Sequence, residues 1–217
     1  GFRSLFWQSP TRPWFVVIPK NGKPIAIIPD IGRDLMTRTW IDDIRTWPSP
    51  RREDEGISLL VEVLEGAKNI GILMGEEASL RMPLEDFEKL KLKIDGTFSD
   101  CSKIIKKVRL IKSEKEILIL KNICSVANRS FDRANRLFFS GQPLNEAFRE
   151  FKIALLEEGA EEVPYLVGGA GRDGYVDVIS PPSSKPLENG DILMLDTGST
   201  LKGYFCDFDR NWAIGTA

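Results

Sequence analysis

Histidine is absent from this 217-residue sequence. That removes a Ser-His-Asp triad, a Cys-His pair and any imidazole-ligated metal site assembled from these residues alone. Chemistry must therefore rest on carboxylates, Lys, Arg, Tyr or main chain. Cysteine is scarce too: Cys101, Cys124 and Cys206 are odd in number, far apart and lack C-x-x-C spacing, which argues against a disulfide framework and a zinc knuckle. A reducing, cytoplasmic setting is expected. No apolar run approaches the roughly 20 residues of a membrane span, and no charged leader precedes an apolar stretch at Gly1, so a membrane partner is not expected. Nor is there an excess of one charge. The 30 basic and 32 acidic residues are interspersed, leaving no electrostatic footprint for nucleic acid.

What is present, 42% apolar residues, can bury one sizeable core or two small ones. Residues 1–110 read as a small α/β unit. Phe15 to Pro19 and Ile25 to Pro29 are apolar runs joined through Lys20-Asn21-Gly22-Lys23, and Asn-Gly is a strong hairpin signal. Trp40, Ile44 and Trp47 mark another strand and read as packing anchors. Ile57, Leu60, Val61 and Leu64 recur at helical spacing, a short strand covers Asn69 to Met74, and Pro83 opens a helix with Leu84, Phe87 and Leu90 on one face. Glu53-Asp54-Glu55 suits a solvated helix start, and Lys103 to Arg109 a linker face. The boundary is placed near Leu110, with residues 111–217 as a second domain.

Ser113-Glu114-Lys115-Glu116 is a capping box leading into Ile117, Leu120, Cys124, Ala127, Phe131, Ala134 and Phe138 at spacings of three and four, a long amphipathic helix. Cys124 on that seam is expected to be inert core. Gly141 stops the helix and Pro143 starts another, with Leu144, Ala147, Phe148, Phe151 and Leu155 on one face up to Gly159. Val163 to Val167 is a strand entering Gly168-Gly169-Ala170-Gly171. A phosphate-loop reading of those glycines fails, because the Lys-Ser/Thr partner is missing and no helix follows. They are expected to let backbone approach a ligand closely.

The stretch from Glu188 to Gly215 carries the densest signal. Asp191 to Asp196 and Gly203 to Ile214 are strand-like runs flanking a turn near Thr200-Leu201-Lys202-Gly203. A hairpin symmetric about Leu201 and Lys202 puts Asp196 directly opposite Asp207, with Asp209 on the same face. Directly opposed like charges repel, and burial beside Met194, Tyr204 and Phe208 adds a desolvation cost. Two readings are open from the residues alone: solvated aspartates flanking a turn, or carboxylates bridged by a divalent cation such as Mn, Co, Fe or Zn.

The run LDTG, the eleven-residue step from Asp196 to Asp207 and the following GYFCDFDR resemble the D-x-G, G-Y, D-x-x-R signature of the pita-bread metallopeptidases. That family includes methionine aminopeptidase, prolidase and aminopeptidase P, with creatinase as a metal-free relative. KPLENGD, VGGAGRDGY and KSEKEI extend the resemblance upstream, and Gly1-Phe2 resembles the end of the family's Y-x-T-G-F segment. The implied fold class is α/β (α+β), a creatinase-like N-terminal α/β domain followed by the first half of a pita-bread catalytic domain.

By the same resemblance Asp196 is a terminal ligand and Asp207 a bridging ligand of a two-metal site. The metals activate a bridging water and polarise the scissile carbonyl of an Xaa-Pro dipeptide or a peptide N terminus, with a glutamate as base. The family's other ligands, a His and two Glu, belong to the second half of the fold, so this chain is expected to bind no metal by itself and to be inactive alone. A homodimer is the implied assembly. Two departures stand out. Where the family carries a histidine before the first ligand, Tyr175 to Ser180 offers Asp177, an acid or base if burial raised its pKa and otherwise a solvated loop residue. Asp209 stands where the family has Thr, adding a third carboxylate. A creatinase-like metal-free amidohydrolase and a catalytically dead peptide-binding module are the alternatives.

Overall fold

A computed structural model describes residues 12–216, so the Gly1-Phe2 resemblance lies outside the described residues. The chain divides between Ile111 and Lys112 into two compact units.

In the first unit, β1 (Phe15–Val17) pairs antiparallel with β2 (Ile25–Pro29), and β2 pairs parallel with β3 (Asp43–Trp47). The parallel pair needs a crossover, and a short helix α1 (Arg33–Met36) lies in it. Strand β2 is central and apolar throughout, as a strand covered on both faces must be. Ala26 and Ile28 join Met36 and Ile41 on one side. Ile27 joins Trp47, Ile57, Leu60, Phe87 and Leu90 on the other. Val17 pairs with Ile25, so Asn21-Gly22 sits inside a longer connection and is not a two-residue turn. Trp47 is buried as an anchor, whereas Trp40 is 74% exposed and anchors nothing.

The same unit continues with α2 (Ile57–Val63), β4 (Asn69–Ile72), α3 (Leu84–Lys93), β5 (Thr97–Asp100) and α4 (Ser102–Leu110), with β4 and β5 forming a separate parallel pair. Glu55 is no mere solvated helix start. Its carboxylate accepts bonds from Trp47 Nε1 (2.9 Å), Ser49 Oγ (2.7 Å) and the Arg51 N–H (2.7 Å), tying the approach to α2 onto β3.

The second unit opens with α5 (Glu114–Asp132), whose capping box forms in full between Ser113 and Glu116. Tyr204 also donates to Glu116 Oε1 at 2.8 Å, tying the start of the helix to the hairpin described below. The buried stripe is Ile123, Val126, Ala127, Ser130 and Phe131, while Ile117 is 43% exposed, so only the second half of the expected seam is core. The helix ends at Asp132; Ala134 lies in the short α6 (Ala134–Leu137), and Phe138 follows it into the core. Helix α7 (Leu144–Glu157) buries Ala147, Phe148, Phe151, Ala154 and Leu155.

The helices cover one face of an antiparallel meander, β6 (Glu162–Gly171), β7 (Ile192–Leu201) and β8 (Tyr204–Ala213), in the order β6-β7-β8. Leu193, Leu195 and Cys206 join the helices' core, where Trp212 stacks on Phe131 at 5.4 Å. This sheet is separate from that of Asn21. Among the described residues no helix is long and apolar enough to cross a membrane.

Candidate functional site

The site follows from strand register. Leu193 and Leu195 face the helices, and Thr197 and Ser199 continue that side, so Asp196 and Gly198 face away from α5 and α7. Asp196 pairs with Asp209, Gly198 with Asp207, and Leu201 with Tyr204. The turn is Lys202-Gly203, at φ 50° and 77°, the positive values that fit a two-residue hairpin to the strand twist. The hairpin is thus centred one residue beyond Leu201-Lys202, and the directly opposed pair is Asp196 with Asp209, not Asp196 with Asp207. A register shift of two residues preserves the face, because side chains alternate with period two. All three aspartates stay on it.

Asp196 and Asp207 meet through Tyr165, a residue that sequence reasoning missed. The Tyr165 hydroxyl lies 3.1 Å from Asp196 Oδ1 and 2.5 Å from Asp207 Oδ1. The two carboxylate oxygens are therefore within about 6 Å of each other, near enough to share cations at oxygen-ligand distances of about 2–2.6 Å. A phenol has a single proton, so it satisfies one carboxylate at a time. Burial, reinforced by the bond to Asp207 and the charge of Asp196, pushes the Tyr165 pKa far up and keeps the ring a proton donor.

Gly198 makes this possible. It sits between Tyr165 and Asp207 in one cross-strand row, and a Cβ there would come within 2.0 Å of Phe205 Cζ and 2.5 Å of Tyr165 Cε1. The two rings pass over the bare backbone, their centroids 5.8 Å apart. Thr197, on the buried side, donates from Oγ1 to the Tyr165 carbonyl at 3.1 Å and pins β6 where its tyrosine reaches the carboxylates. In LDTG, then, the Gly provides clearance and the Thr holds the neighbouring strand.

Asp209 lies across from Asp196 but does not complete a cluster: among the described residues no group of three or more His, Cys, Asp or Glu side chains could hold a metal ion. Asp177 fails the condition set for an acid or base. Its Oδ1 accepts the N–H groups of Ile179 (3.2 Å) and Ser180 (3.0 Å), and hydrogen bonds from Ser180 and Ile179 hold its pKa below the usual carboxylate range. The glycine stretch also serves another purpose than expected. A Cβ at Gly169 would meet the Asp177 carbonyl at 2.5 Å, so the close approach there is by the chain's own loop.

Residues 119–217 match the model of metallopeptidase family M24. An Xaa-Pro dipeptidase of Pyrococcus horikoshii is 28% identical over 158 residues, covering 71% of this chain and 43% of that protein. A probable dipeptidase PepE of Mycobacterium tuberculosis is 24% identical over 213 residues, covering 92% and 52%. Among solved structures, the prolidase of Pyrococcus horikoshii OT3 superposes with a TM-score of 0.78 at 22% identity, over 94% of this chain and 55% of that one. The X-Pro aminopeptidase of Thermotoga maritima gives 0.75 at 22% identity, over 93% and 54%. The chain has their mixed α/β fold and spans about half the length of these relatives.

Proposed function

We propose that the protein is a peptidase that cleaves the amide bond of Xaa-Pro-type dipeptides or of peptide N termini, a reading supported by the match of residues 119–217 to the model of metallopeptidase family M24. The names of the similar proteins support this reading. The observation that carries it is the convergence of Asp196 and Asp207 on one hydroxyl, in a hairpin bearing the D-x-G and D-x-x-R residues.

The donor set fits a divalent metal in part. Carboxylate oxygens are hard donors, and among the described residues none of the ion pairs neutralises Asp196 or Asp207 with a lysine or arginine. Two donors are a minority of the four to six or so that such an ion takes, so the complete site draws on groups other than those described. Asp196 and Asp207 would contribute to holding such a metal, which would supply polarisation of a carbonyl and a lowered pKa of water. The chain's own contribution is orientation. The Tyr165 hydroxyl lies within bonding distance of the inner oxygens of Asp196 and Asp207 and donates to one of them at a time, and Gly198 with Thr197 places Tyr165.

The test is hydrolysis of Xaa-Pro dipeptides by the natural protein supplied with Mn or Co, compared with Asp196→Asn and Asp207→Asn. Loss of turnover by about 10²-fold or more in both variants is expected, since each removes a charge that the reaction uses. A second reading, a peptide-binding module without turnover, is favoured by the lack of a histidine between Tyr175 and Ser180. Tight peptide binding by a folded natural protein with no hydrolysis would establish it instead.

A further inference from the structure

Two asparagines in the sequence precede a glycine, Asn21 and Asn189. In that dipeptide the glycine nitrogen carries no neighbouring Cβ to hinder its reach back, so it can attack the amide carbon of the asparagine side chain. The other asparagines are followed by Ile, Arg, Glu or Trp, whose side chains crowd that approach. The fold treats the two open sequences differently.

Asn189-Gly190 is held at both reacting groups. The Gly190 N–H donates to the Ile214 carbonyl at 2.8 Å, which occupies the attacking nitrogen. Asn189 Oδ1 accepts the Thr216 N–H at 3.0 Å and its Nδ2 donates to Thr216 Oγ1 at 3.5 Å, which fixes the amide under attack. Its main-chain carbonyl also accepts from Arg172 Nη2 at 3.3 Å. Reaction there requires the junction between this turn and the end of β8 to open first.

Asn21-Gly22 has none of these restraints. It lies in the connection 18–24 between β1 and β2, and both residues are exposed. Among the described residues neither the Asn21 side chain nor the Gly22 N–H has a hydrogen-bond partner. A Cβ at Gly22 would meet nothing nearer than Pro19 Cγ at 3.8 Å, so the space around the nitrogen is open. Lys20 precedes the pair and Lys23 follows it, and a carboxylate arising between two cations is favoured by charge.

We propose that Asn21 is a site of covalent self-modification, converting through an intramolecular imide to aspartate and isoaspartate, while the fold keeps Asn189 intact. The Gly22 nitrogen loses its proton and bonds to Asn21 Cγ; the Cγ–Nδ2 bond breaks, and Nδ2 leaves as ammonia with that proton. Water then opens the imide at one of its two carbonyls. Opening at Cγ gives aspartate on a normal backbone. Opening at the main-chain carbonyl gives isoaspartate, with the chain routed through Cβ and a free α-carboxylate. That carboxylate is the acceptor recognised by an isoaspartate-specific methyltransferase that uses S-adenosylmethionine, the class of partner this site fits. The inference is independent of the peptidase reading.

The test incubates the folded natural protein at neutral and alkaline pH and quantifies conversion at each asparagine by peptide mass spectrometry, with a zero-time sample correcting for conversion during digestion. Trypsin releases Asn21 in the peptide 21–33, because Lys23 precedes proline. Asn21 is expected to convert faster than Asn189 by about tenfold or more, since two hydrogen bonds at the second site must open before attack. Its rate should rise with pH, because the attacking nitrogen must lose a proton, and the peptide should accept methyl groups from an isoaspartate methyltransferase. In denaturant the two rates should converge. Asn21→Gln, whose longer side chain closes a larger ring, should abolish conversion at this position. Conversion at Asn21 no faster than at Asn189 in the folded protein would overturn the proposal, as would conversion of Asn21 in denaturant alone. An equally large difference between the two sites in denaturant would show that local sequence, not the fold, protects Asn189.

Discussion

Replacing Gly198 by alanine tests the geometry that brings the carboxylates together. The new Cβ would come within 2.0 Å of Phe205 Cζ, 2.5 Å of Tyr165 Cε1 and 2.7 Å of Phe205 Cε2, all closer than real contacts. Phe205 is 42% exposed and can turn outward cheaply. Tyr165 cannot yield without parting from Asp196 and Asp207, to which its hydroxyl is bonded. Overpacking costs about 1–3 kcal/mol, and a hydrogen bond to a charged group about 1.5–3 kcal/mol where it is shielded from water. Partial exposure of the site trims the second figure. Against these, removing a glycine lowers unfolded-state entropy by about 0.4–1 kcal/mol. A net destabilisation of about 2 kcal/mol is expected for Gly198→Ala.

In a Tyr165→Ala background both the tyrosine clash and its bonds are already gone, and the same substitution should cost less than about 1 kcal/mol. The assay is denaturant unfolding of the chain labelled with 5-fluorotryptophan. Trp212 is the only tryptophan after residue 111, so its fluorine resonance follows the second unit separately from the first. Equal costs in the two backgrounds would falsify the claim that Gly198 exists to let Tyr165 across.

Three further outcomes are expected. Burial raises the Glu55 pKa, but hydrogen bonds from Trp47, Ser49 and Arg51 outweigh it and leave it below the usual 4.5. A depressed carboxyl pKa stabilises the folded state above the unfolded value and loses that contribution as pH falls through the folded one. The first unit should therefore loosen as pH drops below about 4.5, and Glu55→Gln should flatten the dependence, read from the Trp47 fluorine resonance against pH. Ser113→Ala removes the N-cap acceptor of the Glu116 N–H and should cost about 1 kcal/mol, measured by denaturant unfolding; a cost near zero would mean that the Glu116 half of the box suffices. Calorimetric titration of Mn into the 217-residue chain should show no stoichiometric uptake at micromolar concentration, because two carboxylates leave most coordination positions to water. Tight binding would show that the donor count is wrong.

The sequence by itself determined what depends on local chemistry and on period. The capping box at Ser113, the helix start after Pro143, the strands around Asp196 and the presence of all three aspartates on one face were legible because each follows from neighbours a few residues away. Even the misplaced centre of the hairpin left the face unchanged, since an error of two residues preserves alternation. Which aspartate stands opposite Asp196 was not legible, because the turn position is decided by whether Lys202 and Gly203 accept positive φ, and several placements near Thr200 satisfied the pattern equally.

Tertiary structure alone decided the rest. Tyr165 reaches the carboxylates because β7 returns beside β6 after the connection 172–191, and the register of strands so joined is fixed by the packed helices and by Thr197, not by any turn. The roles of Gly198 and Gly169 likewise depend on what passes above them, a tyrosine in one case and the chain's own loop in the other. A glycine in sequence marks only that something comes close; the folded chain decides what.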